Sequence, residues 1–490
     1  EWQIDKCIQC NQCSYICPHA TIRPFLLTDE EKAKAPDTFK TKNAIGKGLK
    51  GYHYRIQLSP LDCTGCMNCA DICPAPGKAL VMKPAAQEIE KEAENWEYAM
   101  TITPKEDLVD RYTLKGSQFV RPLLEFNGAC PGCGETPYVR LLTQLFGERM
   151  MIANATGCSS IWGGSYPSFP YTTNAEGRGP AWANSLFENN AEYGYGMYLG
   201  SKQIREKIAQ LVREALQMQL PADLLIALGE WLDAFDDGDR SKYASAKVLE
   251  ALKAHPGLNN PVIDEILKRK DYLVKRSVWS VGGDGWAYDI GYNGVDHVLA
   301  SGDDINLLVL DTEVYSNTGG QSSKATQTAA IAKFAAAGKK IRKKDLGMIA
   351  MSYGYIYVAQ IAMGANMQQT IKALTEAEKY KGPSLVIAYS TCVNHGLKNG
   401  MGKSLEQQKR AVEAGYWHLY RFNPDLKAQG KNPFILDSKE PKGNFREFLE
   451  SEIRYSSLKN VFPEIADEMF AVAEQHAKER YESYLRLAQG

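Results

Sequence analysis

Two nearly identical runs of cysteine constrain this chain more than any other feature of its sequence. Each run, at 7–18 and again at 63–74, places four cysteines at the spacing Cys-x-x-Cys-x-x-Cys-x-x-x-Cys and ends in proline. Of the 12 cysteines in 490 residues, 11 lie before residue 160. Disulfides stabilise small secreted domains, whereas tight groups of cysteines in a long chain favour redox cofactors in a reducing compartment.

The spacing of both runs resembles that of bacterial ferredoxins with two 4Fe-4S clusters. In that pattern, three closely spaced thiolates bind one cluster and the fourth cysteine of the run binds the other. The resemblance implies two crossed ligand sets: Cys7, Cys10, Cys13 and Cys73 for one cluster, and Cys63, Cys66, Cys69 and Cys17 for the other. Zinc is the alternative, but zinc sites prefer two pairs of ligands to a triplet with a distant fourth.

A glycine-rich turn later in the chain is predicted to bind phosphate. The apolar residues of 278–281 predict a strand, Gly282–Gly285 a tight turn, and Trp286–Leu299 a helix. Backbone N–H groups and the positive end of the helix dipole then face a ligand above the glycines. Asp284 tolerates nearby phosphates only if a cation lies between them. The turn alone leaves a nucleotide site or a purely structural role open.

The next predicted strand completes this site. Ile305–Leu310 reads as a buried parallel strand, and polar residues follow it directly. Because ligands of open parallel sheets bind outside the carboxyl ends of neighbouring strands, Asp284 and Thr312 should face one crevice. An octahedral Mg²⁺ can take the Asp284 carboxylate, the Thr312 hydroxyl and the Val314 backbone carbonyl, together with two diphosphate oxygens and a water.

Gly-Asp-Gly followed by such a polar ligand resembles the thiamine diphosphate motif. The usual Asn-Asn ending is replaced here by Asp311–Gln321. That replacement resembles the 2-oxoacid:ferredoxin oxidoreductase family, and within it the branch that acts on pyruvate. The resemblance runs in order over essentially the whole chain. It implies that Gly283, Gly285 and Trp286 surround the diphosphate, that Asn317 is a polar neighbour of the reacting centre, and that Glu135 and Cys158 also contact the cofactor. Glu135 could equally be a charge at a helix start.

The four remaining cysteines are candidates for a third cluster. Cys130-x-x-Cys133 alone fits a redox dithiol, half a zinc site or half a cluster site. Cys158 and Cys392 each follow a predicted strand, at 150–155 and 384–389, so all four thiols could meet beside the diphosphate site. Single cysteines in a large protein are usually inert core residues. The family resemblance implies that Cys130, Cys133, Cys158 and Cys392 bind a third 4Fe-4S cluster.

The chain is expected to divide into four parts. A small α+β ferredoxin-like domain with two clusters covers 1–82, and a linker covers 83–118. An α/β thiamine diphosphate-binding domain, a parallel sheet with flanking helices, covers 119–420 and includes a helical insertion at 198–276. A helical segment at 421–490 ends the chain. The apolar stretches 348–351 and 357–361 predict further strands, and 366–379 predicts an amphipathic helix.

The resemblance implies oxidative decarboxylation of pyruvate with coenzyme A to acetyl-CoA and CO₂, with electrons passed to ferredoxin or flavodoxin. The alternatives are the same chemistry on 2-oxoglutarate, branched 2-oxo acids or indolepyruvate, or a pure electron-transfer module. The chain starts with Glu1 and resembles only part of the family's length. We therefore expect upstream pyrimidine-side and coenzyme A-binding domains on the same or a partner chain, and no turnover by this chain alone.

Composition and charge bear on the partners and the cellular location of the protein. A formal net charge of −1 provides no basic footprint for nucleic acid, and no run of 18 apolar residues predicts a membrane span. The absence of an export signal and the oxygen sensitivity expected of exposed clusters predict a cytoplasmic enzyme of anaerobic metabolism. The family resemblance implies a homodimer. The lysine- and glycine-rich stretch Lys40–Gly51 predicts a surface loop, which is either merely solvated or able to meet an acidic electron carrier.

Overall fold

The cysteine runs lie on a small antiparallel sheet at the start of the chain. In a computed structural model, which describes residues 1–165 and 169–490, its strands have the order β1-β3-β2. They are β1 (Ile22–Leu27), β2 (Lys42–Asn43) and β3 (His53–Leu58). The short helices before, between and after them are α1 (Gln12–Tyr15), α2 (Asp29–Ala33) and α3 (Asn68–Ile72). Positions 166–168 of the predicted 119–420 unit lie outside the described residues.

The predicted linker is ordered and packs back onto this sheet. It contains α4 (Ala85–Ala99) and α5 (Leu114–Ser117). Glu92 on α4 accepts a hydrogen bond from the Arg55 guanidinium on β3 at 2.8 Å, and both side chains are largely buried. This buried ion pair fixes the helix against the cluster-bearing sheet.

An eight-stranded sheet forms the centre of the rest of the chain. Its strands are β4 (Met150–Ala155), β5 (Ala181–Ser185), β6 (Ser277–Gly282), β7 (Asn306–Asp311), β8 (Tyr357–Ile361), β9 (Ser384–Tyr389), β10 (Tyr420–Phe422) and β11 (Phe434–Leu436). Their order is β11-β10-β8-β9-β7-β6-β4-β5, and the six strands from β8 to β5 pair in parallel. β10 and β11 add an antiparallel edge.

Continuous apolar sequence explains the central strands. Every residue of β6, β7 and β9 is buried, as expected where helices cover both faces of a parallel sheet. Successive side chains alternate between two cores: Leu307 and Val309 lie in one, and Leu308 and Leu310 in the other. The strands predicted at 150–155, 357–361 and 384–389 are confirmed.

The helices that cover the sheet follow in chain order. They are α6 (Thr136–Phe146), α7 (Cys158–Ser160), α8 (Asn190–Ala215), α9 (Ala222–Asp233), α10 (Gly238–Ala254), α11 (Pro261–Lys268), α12 (Asp284–Ala287), α13 (Tyr292–Ala300), α14 (Leu346–Met351), α15 (Met367–Lys379), α16 (Ser404–Glu413), α17 (Phe445–Glu450), α18 (Ile453–Val461) and α19 (Pro463–Gln489). Helices α8 to α11 share a core of their own around Trp231. Among the described helices, none has both the length and the apolar character to cross a bilayer.

Three expectations about secondary structure were wrong. Residues 348–351 belong to helix α14, because the Asp345 side chain caps the Met348 N–H and starts a helix there. The helix expected over 286–299 is two helices, α12 and α13, with a break between them. The C-terminal segment is not all helical, since β11 pairs with β10 at the sheet edge before α17 begins.

The cluster-bearing sheet and the parallel sheet are packed together. Tyr15 and Ile16, within the first cysteine run, belong to the core under α6 and α15. The Tyr15 hydroxyl donates to the Met367 backbone carbonyl at 3.1 Å, and the amide of Asn68 hydrogen-bonds with the Ser404 hydroxyl at 3.0 Å. Shared packing therefore fixes the two cysteine runs relative to the larger sheet.

Candidate functional site

Four neighbouring strands deliver the predicted site residues to one edge of the large sheet. In the order β9-β7-β6-β4, the carboxyl ends of the strands lead to Cys392, Thr312, Asp284 and Cys158. All four strands are parallel, so their ends face the same side. The structure thus brings together the cation ligands and the two lone cysteines, as a switch-point crevice requires.

The glycine turn after β6 is tightly enclosed on one side and open on the other. A Cβ added at Gly282 would lie 2.6 Å from the Trp286 ring and 2.7 Å from Ala155, and one at Gly285 would clash with the Tyr315 ring. At Gly283 the nearest atom is the Leu310 carbonyl oxygen, at 3.8 Å. Close packing therefore requires glycine at 282 and 285, and Gly283 leaves the backbone accessible to a ligand.

Asp284 has one buried oxygen without a partner. Its Oδ2 accepts a hydrogen bond from the Ser323 hydroxyl at 2.8 Å, whereas Oδ1 is buried with none. Burial, with added repulsion from Asp311, raises the pKa of Asp284 well above its usual range. The ionised carboxylate consequently needs a cation. On the next strand, the Thr312 hydroxyl donates to the Val314 carbonyl at 3.0 Å, which places the other two expected ligands side by side.

A buried ion network, defined as Asp311, Glu313, Lys343, Glu452 and Arg454, lies behind Asp284. Lys343 Nζ is 2.7 Å from Asp311 Oδ2, Arg454 Nη1 is 2.8 Å from Glu313 Oε2, and Arg454 Nε is 2.7 Å from Glu452 Oε2. Together with Asp284 there are four carboxylates and two cations. Two cations cannot balance four ionised carboxylates, and the unpartnered Oδ1 of Asp284 is where a divalent ion such as Mg²⁺ would compensate the excess. The sequence analysis missed Lys343 and Arg454, because nothing near them in sequence signals the contact.

The two cysteine runs form the crossed sets. One cavity is lined by Cys7, Cys10, Cys13 and Cys73, here called the first set, and another by Cys17, Cys63, Cys66 and Cys69, the second set. Burial raises the pKa of the Cys10 thiol, and the charges of Cys73 and Cys7 raise it further. Cys73 thus lies with the run from which it is distant in sequence.

The thiols of the first and second sets line their cavities and do not converge on one metal position. Among the described residues, no three His, Cys, Asp or Glu side chains are close enough to share a single metal ion. A 4Fe-4S cluster is bound differently, since each thiolate ligates a different iron. Four separated thiols around a cavity therefore fit a cluster.

The third set is Cys130, Cys133, Cys158 and Cys392. The Gly134 N–H donates to the Thr391 carbonyl at 3.1 Å, and a Cβ at Gly134 would lie 2.5 Å from the Thr391 nitrogen, so the two segments touch. Burial raises the pKa of Cys392 to about 11, with contributions from Glu135 and Cys130. The charge of Cys133 likewise helps to raise the pKa of Cys158, after burial. All four thiols thus approach one another.

The remaining predicted contacts lie at the same place. Glu135 is 4% exposed and accepts a hydrogen bond from the Trp162 indole at 2.9 Å, and burial raises its pKa to about 7. It precedes helix α6, but its side chain does not cap that helix. Trp286 is buried with an unpartnered indole N–H, and Asn317 is exposed on the loop after β7.

A turn at Met401–Lys403 lies between the second and third sets. A Cβ at Gly402 would lie 2.6 Å from the Cys66 carbonyl oxygen, and one at Gly132 would clash with the Met401 carbonyl. Next to it, the His19 ring hydrogen-bonds to the Ala129 carbonyl at 2.9 Å. His19 is 3% exposed, and its second ring nitrogen lies 3.4 Å from the Thr64 hydroxyl. The Cys-Pro-His sequence alone did not reveal this position.

Two family models match separate parts of the chain, one over the two cysteine runs and one over the glycine-rich turn. Residues 6–95 match the 4Fe-4S dicluster domain family, and residues 267–388 match the thiamine pyrophosphate enzyme C-terminal TPP-binding domain family. A 2-oxoglutarate:ferredoxin oxidoreductase from Magnetococcus marinus aligns over 55% of this chain and 65% of its own at 15% identity, with a TM-score of 0.32, too low to support an argument.

Curated relatives cover nearly the whole chain. A pyruvate:ferredoxin oxidoreductase of Moorella thermoacetica is 57% identical over 100% of this chain and 42% of its own length. A pyruvate-flavodoxin oxidoreductase of Enterobacter agglomerans is 58% identical over 99% of this chain and 42% of its own. The mitochondrial pyruvate dehydrogenase [NADP(+)] of Euglena gracilis is 49% identical over 100% of this chain and 27% of its own.

Fold and sites define an iron–sulfur protein with an α/β thiamine diphosphate-binding domain and a small two-cluster ferredoxin domain. Over nearly its whole length, the chain is similar to one part of pyruvate:ferredoxin and pyruvate-flavodoxin oxidoreductases. It spans less than half the length of the relatives just described.

The Asp284→Asn substitution should weaken Mg²⁺-dependent binding of thiamine diphosphate to the full polypeptide by at least about tenfold, since losses of that size follow even from changes beyond the direct ligands of a metal. Calorimetric titration of the cofactor in Mg²⁺ measures this. Asp264→Asn, which removes a carboxylate from helix α11, is the matched control. Equal affinity in the Asp284 variant and the control would exclude Asp284 as a cation ligand.

Cys392→Ser should remove the third cluster only. Iron should fall from about twelve to about eight per chain, because each 4Fe-4S cluster carries four irons. Iron analysis with electron paramagnetic resonance (EPR) of the reduced protein measures both the loss and the signal that disappears. Iron content unchanged in this variant would mean that Cys392 is an inert core residue.

Proposed function

We propose that this chain carries the cation and diphosphate half of a thiamine diphosphate site, together with three 4Fe-4S clusters, in an enzyme that oxidises pyruvate. Pyruvate and coenzyme A would give acetyl-CoA, CO₂ and two electrons. One observation carries the proposal: a buried aspartate oxygen without a partner lies at the same sheet edge as two cysteines of the third set.

In this proposal, each group at the edge has a separate task. Asp284, Thr312 and the Val314 carbonyl hold Mg²⁺, and the accessible backbone at Gly283 lies under the diphosphate. When bound, thiamine diphosphate supplies the electron sink that allows the 2-oxo acid to lose CO₂. The exposed Asn317 can reach a substrate on the open side of the loop.

The arrangement of the cysteine sets supports one order of electron transfer. The third set lies beside the cofactor crevice, and the turn at Met401–Lys403 joins it to the second set. Cys13 of the first set and Cys69 of the second pack against the same small core, which supports neighbouring positions for the two sets. Electrons would pass from the third set through the second to the first.

Other parts of the enzyme belong to the proposal. The longer relatives favour pyrimidine-side and coenzyme A-binding domains on the same polypeptide. The divisions 1–82, 83–118, 119–420 and 421–490 remain predictions, and a homodimer is supported by family resemblance alone. None of the 12 cysteines, all of which are among the described residues, forms a disulfide, which suits a reducing compartment such as the cytoplasm.

The alternatives make different predictions for one assay. Anaerobic dye reduction by the full polypeptide, with coenzyme A and a panel of 2-oxo acids, should show strong preference for pyruvate. Preference for 2-oxoglutarate or indolepyruvate would retain the chemistry and change the substrate. No reduction with any 2-oxo acid, despite full iron and bound cofactor, would leave an electron-transfer module.

A basic loop next to the first set is the proposed docking surface for an acidic one-electron carrier. Gln9, between Cys7 and Cys10, holds this loop by accepting from the Ile45 N–H and donating to the Asn43 carbonyl, both at 2.8 Å. Ile8 and Ile45 are 51% and 58% exposed, and the loop carries the exposed lysines 47 and 50. A small apolar centre with lysines suits brief contact with an acidic partner.

Lys47→Gln with Lys50→Gln should slow electron transfer to ferredoxin or flavodoxin severalfold at low salt, because complementary charge speeds encounter. The rate with methyl viologen, a small cationic dye, should not change. Lys207→Gln with Lys253→Gln, on helices α8 and α10, removes the same charge elsewhere and is the matched control. If both double variants lost the same fraction of the rate of electron transfer to the carrier, docking at this loop would be contradicted.

A further inference from the structure

Two polar side chains donate hydrogen bonds to sulfurs of the third set. The Ser316 hydroxyl donates to Cys158 Sγ at 3.2 Å. The Asn394 side-chain amide donates to Cys392 Sγ at 3.5 Å, and its backbone N–H donates to the same sulfur at 3.5 Å. Neither residue is one that the sequence analysis proposed for the site.

The same two residues bind each other. The Asn394 amide also donates to the Ser316 backbone carbonyl at 3.2 Å, although 78 residues separate them. Gly320, on the same loop as Ser316, also lies beside Asn394, since a Cβ built there would be 3.4 Å from Asn394 Oδ1. Ser316 and Asn394 therefore form one hydrogen-bonded link between Cys158 and Cys392.

This link belongs to the loop that carries the expected cation ligands. Ser316 lies two residues after Val314 on the loop Asp311–Gln321. At the other end of the contact, the His395 ring hydrogen-bonds to the Thr312 carbonyl at 2.7 Å, and the Cys392 N–H approaches the second ring nitrogen at 3.4 Å. Two neighbouring residues, Asn394 and His395, thus hold the cation loop against the third set.

We propose that Ser316 and Asn394 are positioning residues that raise the reduction potential of the cluster bound by the third set. The proposal rests on the presence of that cluster, which belongs to the function proposed above. Reduction adds one electron, and hence one negative charge, that is shared with the cluster sulfurs. Hydrogen-bond donors to those sulfurs stabilise the more negative state, and such bonds are among the features that set cluster potentials.

The proposal implies that the reduction potential of this cluster depends on the loop that binds the cofactor. The donor to Cys158 comes from the cofactor-binding loop itself, so the cluster reaches its full potential only when that loop is in place. A cluster that accepts an electron readily next to the crevice favours transfer away from the cofactor. If Ser316 and Asn394 only kept the loop ordered, substituting them would leave the reduction potential of the cluster unchanged.

EPR-monitored titration with dithionite tests this on the full polypeptide under anaerobic conditions, without any 2-oxo acid. The third cluster is identified as the signal that Cys392→Ser removes. In Ser316→Ala, reduction of this cluster should become about three- to tenfold less favourable, where tenfold corresponds to about 59 mV for a one-electron couple. Ser316→Thr keeps the hydroxyl and should restore the potential. Thr318→Val, whose hydroxyl donates to Gln321 on the same loop, is the control and should change nothing.

The possible outcomes separate the inference from the proposed function. An unchanged potential in Ser316→Ala, with iron and cofactor affinity retained, would overturn the inference alone. An equal shift of the reduction potential in Thr318→Val would also overturn the inference alone. Absence of a third-cluster signal from the unmodified protein would overturn both. If Ser316→Ala loses iron, Asn394→Leu takes its place, and an unchanged potential in that variant contradicts the inference.

Discussion

An excess of buried negative charge at the carboxyl edge of the parallel sheet is the constraint on which the rest of the site depends. Asp284 stands 2% exposed with one oxygen unpartnered, and Asp311 lies behind it. Burying carboxylates is costly unless cations compensate them. Lys343 and Arg454 supply two positive charges from distant parts of the chain, and the remainder suits a divalent ion. The proposed cation would therefore compensate a carboxylate that the protein alone leaves without a partner.

Close packing brings the iron–sulfur part to the same edge. Glycines at 132, 134 and 402 lie where any side chain would strike a neighbouring backbone. These contacts join the loop of Cys130 and Cys133 to Cys392 on one side and to Cys66 on the other. Since Tyr15 and Ile16 share the core of the parallel sheet, the ferredoxin-like part is held rigidly and not only tethered. Short, fixed separations suit electron transfer between successive clusters.

Hydrogen bonds around the third set connect the two chemistries. The loop after β7 carries Thr312 and Val314, the proposed cation ligands, and its Ser316 donates to a cysteine sulfur. Residues after β9 hold that loop from the opposite side through Asn394 and His395. Parallel strands that end side by side thus place the proposed cation site and the third set of cysteines within one hydrogen-bonded assembly.

The sequence by itself determined the ligand types and most of the strands. The cysteine runs and the Gly-Asp-Gly turn are readable because a few neighbouring residues encode their spacing and chemistry. Short apolar runs were less reliable: 348–351 fits either a strand or a helix until the Asp345 cap is seen. Only the tertiary structure decided that Lys343 and Arg454 neutralise the cation loop, and that Ser316 and Asn394 reach the cysteine sulfurs. Those residues are single positions far apart in sequence, and the order β9-β7-β6-β4 that unites them arises from packing of the whole sheet, which no local pattern contains.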